Sequence, residues 1–170
     1  ISEDPTVKLF EPRPANKGSG REGELLVWAI DDKFLHNYLL PRDCPRITFY
    51  AGEQSTPEDL EKFLGHSDAA FVVAIEAEWF ERAVTTKLYK YTFNPDSFEL
   101  SDKSAGYYVS RVSVKSTKMT TIKHPLQVMF QRNVELRVMP SLQKLQEAVI
   151  GSSLLFSCIR MRNANHMKSR

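Results

Sequence analysis

LYKYTFNPDSFEL, residues 88–100, decides the fold class. Two short runs, LYKYTFN and FEL, flank Asn94, Pro95 and Asp96. These three favour a turn, because Asn and Asp bond their own backbone and Pro presets φ. The pair is expected to form a hairpin, which sets its strands antiparallel. After a turn at residues 103–106, YYVSRVSVKS alternates as a half-buried strand does. Helices early and antiparallel strands in the middle predict an α+β protein, with a mainly antiparallel split sheet and flanking helices rather than a doubly wound parallel sheet.

Upstream, ELLVWAI reads as a buried strand, DDKFLHNYLL as a helix capped by Asp31 or Asp32, and RITFY as a second strand. Thr56, Pro57, Glu58 and Asp59 start a helix: the Thr side chain accepts from free amides, Pro suits the first turn, and the acids suit the positive dipole end. That helix ends near Gly65. AAFVVAI is a buried strand and EAEWFERAV a short helix. Downstream come a short helix at residues 124–130, the strand NVELRV, a helix at residues 140–150 opened by Pro140 and Ser141, and a last strand LLFSCIRM. EPRPANKGSGREGE, residues 11–24, is too rich in Pro, Gly and charge for a core element and reads as a mobile loop or lid. No repeat or linker divides the chain, so residues 1–170 are expected to be one domain.

The composition, 42% hydrophobic and 26% charged, is that of a globular protein, and a net charge of +2 gives no general attraction to nucleic acid or anionic membrane. Cys44 and Cys158 make no CxxC, and His36, His66, His124 and His166 lack zinc-site spacing, so no metal is expected. Reduced thiols, the absence of an apolar run beyond LLVWAI, and an opening ISEDPTVKLF unlike a signal peptide predict a cytoplasmic protein with no membrane partner. The sequence starts at Ile1 without a methionine, so residues ahead of it are expected.

Three groups could carry chemistry. In PRDCPR, residues 41–46, Pro41 and Pro45 stiffen a corner from which Arg42 and Arg46 project, an arrangement suited to phosphate or carboxylate. The alternative is that an arginine pairs with Asp43 or another acid to pin a turn. Cys44 lacks a cysteine-protease signature and reads as a buried thiol. In NVELRV, alternation puts Val134, Leu136 and Val138 on the core face and Glu135 with Arg137 on the other. That makes Glu135 a candidate catalytic or hydroxyl-binding acid, against a reading as two compensating surface charges. Trp28, Tyr107 and Tyr108 offer flat surfaces for a base or nicotinamide ring, although strand aromatics are more often core, and only one of the two adjacent tyrosines can face a given cleft. The basic tail CIRMRNANHMKSR offers a contact to nucleic acid without interleaved aromatics to support it.

The combination ISEDP, F-EPRP, LVWAID, PRDCPRITF, AGYYVS, NVELRV and FSCIRMRNA resembles an uncharacterised bacterial family, a domain of unknown function, over nearly the whole chain. In that family's pattern a His stands directly before the position of Ile1. The order of elements is remotely similar to that of the ADP-ribosyltransferase superfamily. This resemblance implies that Ser2 would hold a ribose, Tyr107 or Tyr108 would stack on nicotinamide, Glu135 would be the catalytic acid, and NAD would be a substrate whose pyrophosphate meets Arg42 and Arg46. The other class open to the sequence is a non-enzymatic module binding a nucleotide, an anion or a protein. A purely structural protein would have no deep cleft.

Overall fold

The computed structural model describes residues 1–15, 19–103 and 105–165. Residues 166–170 of the basic tail, residues 16–18 of the glycine-rich loop, and residue 104 of the turn at 103–106 lie outside the described residues. The strands and helices in chain order are β1 (Arg13–Pro14), β2 (Leu25–Ile30), β3 (Arg46–Tyr50), α1 (Pro57–Leu64), β4 (Phe71–Glu76), α2 (Phe80–Thr85), β5 (Leu88–Thr92), β6 (Glu99–Asp102), β7 (Tyr107–Ser110), β8 (Lys118–Ile122), α3 (Pro125–Gln131), β9 (Val134–Met139), α4 (Gln143–Ile150) and β10 (Leu155–Ile159). Short 3₁₀ turns occupy Asp32–Tyr38, Ala77–Trp79, Pro95–Ser97 and Met161–Asn163. The class is α+β, with antiparallel and mixed sheets. Two compact units emerge: Ile1–Leu35 with Leu88–Ile122, and His36–Lys87 with the chain from Lys123 onward.

In the first unit an antiparallel sheet runs β1-β2-β7-β6, and β5 and β8 form a two-stranded ribbon. The hairpin expected at residues 88–100 does not form. β5 pairs with β8, Leu88 opposite Ile122, and β6 pairs with β7. The Asn94 side chain accepts from the Asp96 amide and opens a 3₁₀ turn, which carries the chain from one sheet to the next instead of folding it back. The strand expected from Tyr107 also stops early: the Ser110 hydroxyl bonds the backbone of Val112, competing with the ladder. Part of the Pro- and Gly-rich loop is strand, since Arg13 and Pro14 pair with Leu26 and Leu25 at the sheet edge, where a proline costs no central ladder bond. Phe10 stacks edge-on against Tyr91 and Phe93, at 5.0 and 4.9 Å. Gly106 has φ 69° and sits so close to Phe34 that an added Cβ would lie 2.3 Å from its ring, so only glycine fits.

In the second unit the sheet order is β10-β3-β4-β9. The first two pairings are antiparallel and β4–β9 is parallel, with Phe71 opposite Val134 and Ala74 opposite Arg137. All six residues of β4 are buried, as expected of a strand covered on both faces. On one face Ile47, Phe49, Val72 and Ala74 pack with Phe63 of α1, Val149 of α4, and Leu142 and Leu154. Each fully buried aliphatic or aromatic side chain there contributes about 1.5–3 kcal/mol. That exceeds the roughly 0–1 kcal/mol of an exposed ion pair, so this cluster, and not the surface charges, holds the unit together. On the other face Thr48 donates to the Asn37 carbonyl oxygen at 2.5 Å, and His36 lies 4.2 Å from Phe71.

α1 begins as expected: Thr56 accepts from the Asp59 amide, Pro57 is first in the helix, and Gly65 ends it. Asp59 also receives the amide and hydroxyl of Ser153, at 2.7 and 2.6 Å, tying the helix start to the turn after α4. α4 begins later than Pro140, at Gln143, because the Leu142 amide is taken by the buried Glu76 carboxylate.

Candidate functional site

The corner PRDCPR is closed by its own arginine. Arg46 is 1% exposed, and its Nη1 donates to the carbonyls of Pro41 and Cys44 at 3.1 and 2.8 Å while the guanidinium stacks 5.5 Å from the Tyr38 ring. The prolines withhold amides, the loop carbonyls turn inward, and Arg46 supplies the donors they need. Arg42 is exposed on the same corner, its carbonyl accepting from Arg160 Nε at 3.3 Å. Asn163 Nδ2 donates to the Asp43 carbonyl at 2.7 Å. Arg160 holds a left-handed conformation, φ 57°, which aims the 3₁₀ turn Met161–Asn163 at the corner. Two motifs far apart in sequence, PRDCPR and RMRNA, therefore meet. Burial pushes the Cys44 thiol up to about 12, against the opposing charge of Arg46, so it is no nucleophile at neutral pH. Glu76, fully buried, accepts from the amides of Leu142 and Asn165.

The second constellation opens on a groove of about 270 Å³ lined by Glu61, Lys62, Phe63, Gly65, His66, Ser67, Glu135 and Arg137. Three local features build it. α1 stops at Gly65, so residues 66–70 leave the helix beside its C-terminal end. Asn133, at φ 56°, turns the chain into β9, and its carbonyl and side chain tie down Ala70 and Asp68. The parallel register then puts Glu135 beside Val72 and Arg137 beside Ala74, on the sheet face that α1 and α4 cover. The expectation that Glu135 and Arg137 face away from the core is corrected accordingly. Both faces of this sheet are covered, and it is Val138, on the other face, that is 43% exposed.

Within the groove Arg137 is held three ways. Its Nε donates to Glu135 Oε1 at 2.6 Å, its Nη2 donates to the Phe63 carbonyl at 2.8 Å, and its guanidinium lies 5.4 Å from the Phe49 ring. The bond from Arg137, with a second from the Ser67 hydroxyl, holds the Glu135 carboxyl below the usual carboxylate range despite partial burial. Glu135 is thus an ionised acceptor at neutral pH, fixed in direction by two donors, with lone-pair capacity left over. Arg46 and Glu135 project from opposite faces of the sheet, since Arg46 registers with Ile75 and Glu135 with Val72.

The remaining sequence-selected residues lie in the first unit. Ser2 exchanges backbone hydrogen bonds with Tyr89, and its hydroxyl accepts from the Asp4 amide. Trp28 and Tyr107 meet edge to face at 5.8 Å. Tyr108 stands opposite Ala29 and Leu100, on the other side of that sheet. Sequence reading missed Lys62, in the last turn of α1, and His66 and Ser67, which reach the groove from the segment after the helix. The available signal was Gly65, which marks where the helix releases His66 and Ser67. Among the described residues no group of three or more His, Cys, Asp or Glu could hold a metal ion, and no helix is long and apolar enough to cross a membrane.

A two-unit α+β protein with one mixed sheet, a shallow polar groove and a sealed arginine corner is the class that fold and site define. The chain belongs to a family of unknown function, DUF6886, which its residues 1–164 match. That meets the resemblance to a domain of unknown function. No curated protein and no solved structure matches the chain.

Proposed function

We propose that this protein is a binding module for a small nucleotide-like molecule, with Glu135 as the acid that receives the ligand's hydroxyl groups. The observation that carries this reading is the orientation of Glu135 by Arg137 and Ser67 inside a groove. A carboxylate whose charge is kept and whose direction is fixed accepts hydrogen bonds from a diol without reorganising, and such charge-assisted bonds are the strong ones. The groove's volume of about 270 Å³ lies just below the usual range of ligand sites, so it suits part of a nucleotide rather than a whole dinucleotide. Arg46, spent on main-chain carbonyls, contributes no fork of donors to a pyrophosphate in this conformation.

Calorimetric titration with AMP, ADP-ribose and NAD tests the reading. Binding is expected, and Glu135→Gln should weaken it about tenfold or more, the effect of one hydrogen bond to a charged group. Absence of binding to all three ligands sinks the proposal. The second reading, an ADP-ribosyltransferase-like enzyme, draws on the chain order Ser2, Tyr107 or Tyr108, Glu135 and on the ionised state of Glu135, which suits it to stabilise an oxocarbenium-like ribose. Release of nicotinamide from NAD that stops in Glu135→Gln, with binding retained, selects the enzyme over the binder.

A further inference from the structure

The segment from Arg160 to Asn165 lies across the PRDCPR corner and holds it almost entirely by polar contacts. Arg160 and Asn163 bond the carbonyls of Arg42 and Asp43, the two residues before Cys44. Asn165 donates its amide to both oxygens of Glu76 at 3.0 and 2.9 Å and its side chain to Glu78, and its carbonyl accepts from Ser141. Only Met161 joins the hydrophobic cluster, and only from its edge, while Arg162 and Asn165 are exposed. Arg160 adopts a left-handed conformation that costs a non-glycine residue backbone energy. Cys44 and Arg46 of that corner, and the Glu76 to which the segment bonds, are each at most 1% exposed. Few buried apolar contacts and many peripheral hydrogen bonds are the marks of a segment that opens at a lower free energy than the whole. Cys44, Arg46 and Glu76 are, by contrast, ionisable groups held out of solvent.

We propose that residues 160–165 form a latch that opens independently of global unfolding and gates access to the buried corner of Cys44, Arg46 and Glu76. When it opens, Glu76 loses the Asn165 amide and the carbonyls of Arg42 and Asp43 lose their side-chain donors, so the corner loosens without disruption of the Ile47, Phe49 and Val72 cluster.

Cys44 is the reporter, read in a Cys158→Ser background. Iodoacetamide labelling of the folded protein is compared among this parent, the latch variant Asn163→Ala/Asn165→Pro, and Thr56→Ala, which weakens the fold at a helix cap remote in sequence from the latch. Asn165→Pro removes the amide that Glu76 accepts. The latch variant is expected to label about tenfold or more faster than its melting temperature alone accounts for, whereas Thr56→Ala labels only in proportion to its lost global stability. If both variants fall on one line against global stability, the latch does not exist as a separate unit. Hydrogen exchange of the unmutated protein gives a second reading that needs no variant. The amides of Asn163 and Asn165 should exchange at least about tenfold faster than those of Val72 to Ile75, and equal protection overturns the proposal.

Discussion

Two stretches of the second unit, PRDCPR and VELRV, both set arginine beside an acid, and the chain uses them in opposite ways. In the first, Arg46 is buried and serves the main chain, donating to Pro41 and Cys44. In the second, Arg137 keeps 32% of its side chain exposed and serves another side chain, holding Glu135 at a groove. The motif that looks most like a ligand clamp is a structural brace, and the one that looks like ordinary strand alternation frames the cavity. Proline explains the difference. A corner that gives up amide donors at Pro41 and Pro45 leaves carbonyls that need a cation, whereas a regular strand satisfies its own backbone and frees its side chains.

The comparison is broken most directly by removing each arginine. Arg46→Met leaves two buried carbonyls without their charged donor, and at about 1.5–3 kcal/mol for each such bond the loss should be about 3 kcal/mol or more, read as a fall of roughly 6–12 °C in melting temperature. Arg137→Met removes a pair about one-third exposed and should cost only about 1 kcal/mol. Equal losses in thermal denaturation would erase the distinction. Next in size, Thr56→Ala should cost about 1 kcal/mol through the lost α1 cap, in urea titration with an unchanged slope. An altered slope would mean that the cap shapes more than the helix end.

Acid sharpens the comparison at its smallest scale. Hydrogen bonds from the Ser153 hydroxyl and amide lower the Asp59 carboxyl, as the Arg137 bond lowers Glu135. For a group depressed on folding, the contribution is present above its unfolded value of about 4 and fades as pH falls through the lower folded one. Stability should therefore decline on acidification below about pH 4, and Asp59→Asn and Glu135→Gln should each flatten that decline in urea midpoints measured from neutral to acid pH. A variant with the unmodified slope would show that its carboxyl is not coupled to folding.

How far residues alone reveal this structure differs from element to element. α1 is legible to the residue, because Thr56, Pro57, Asp59 and Gly65 each act locally. The strands of LLVWAI, RITFY, FVVAI and VELRV are legible as apolar runs. Their partners are not: β5 and β6 flank a turn yet belong to different sheets, since pairing is decided by distant strands. β8, KMTTI, has four exposed residues of five and no apolar alternation to announce it. Glu135 and Arg137 stand out in sequence, but the side of the sheet they occupy depends on the parallel register with β4, and His66 and Ser67 join them where the chain leaves α1 and is tied at Asp68 and Ala70 to the Asn133 turn.

The parallel pairing of β4 with β9 also sets an order in time. Phe71 meets Val134, and Tyr50 meets Leu155, only after the whole stretch holding β5 to β8 has been made. During synthesis the β3–β4 pair must therefore wait, with apolar residues on both faces, for its outer neighbours to leave the ribosome. Long-range closure of this kind slows folding, and the β4 edge, Val72 to Ile75, stays unpaired and open to aggregation until β9 arrives.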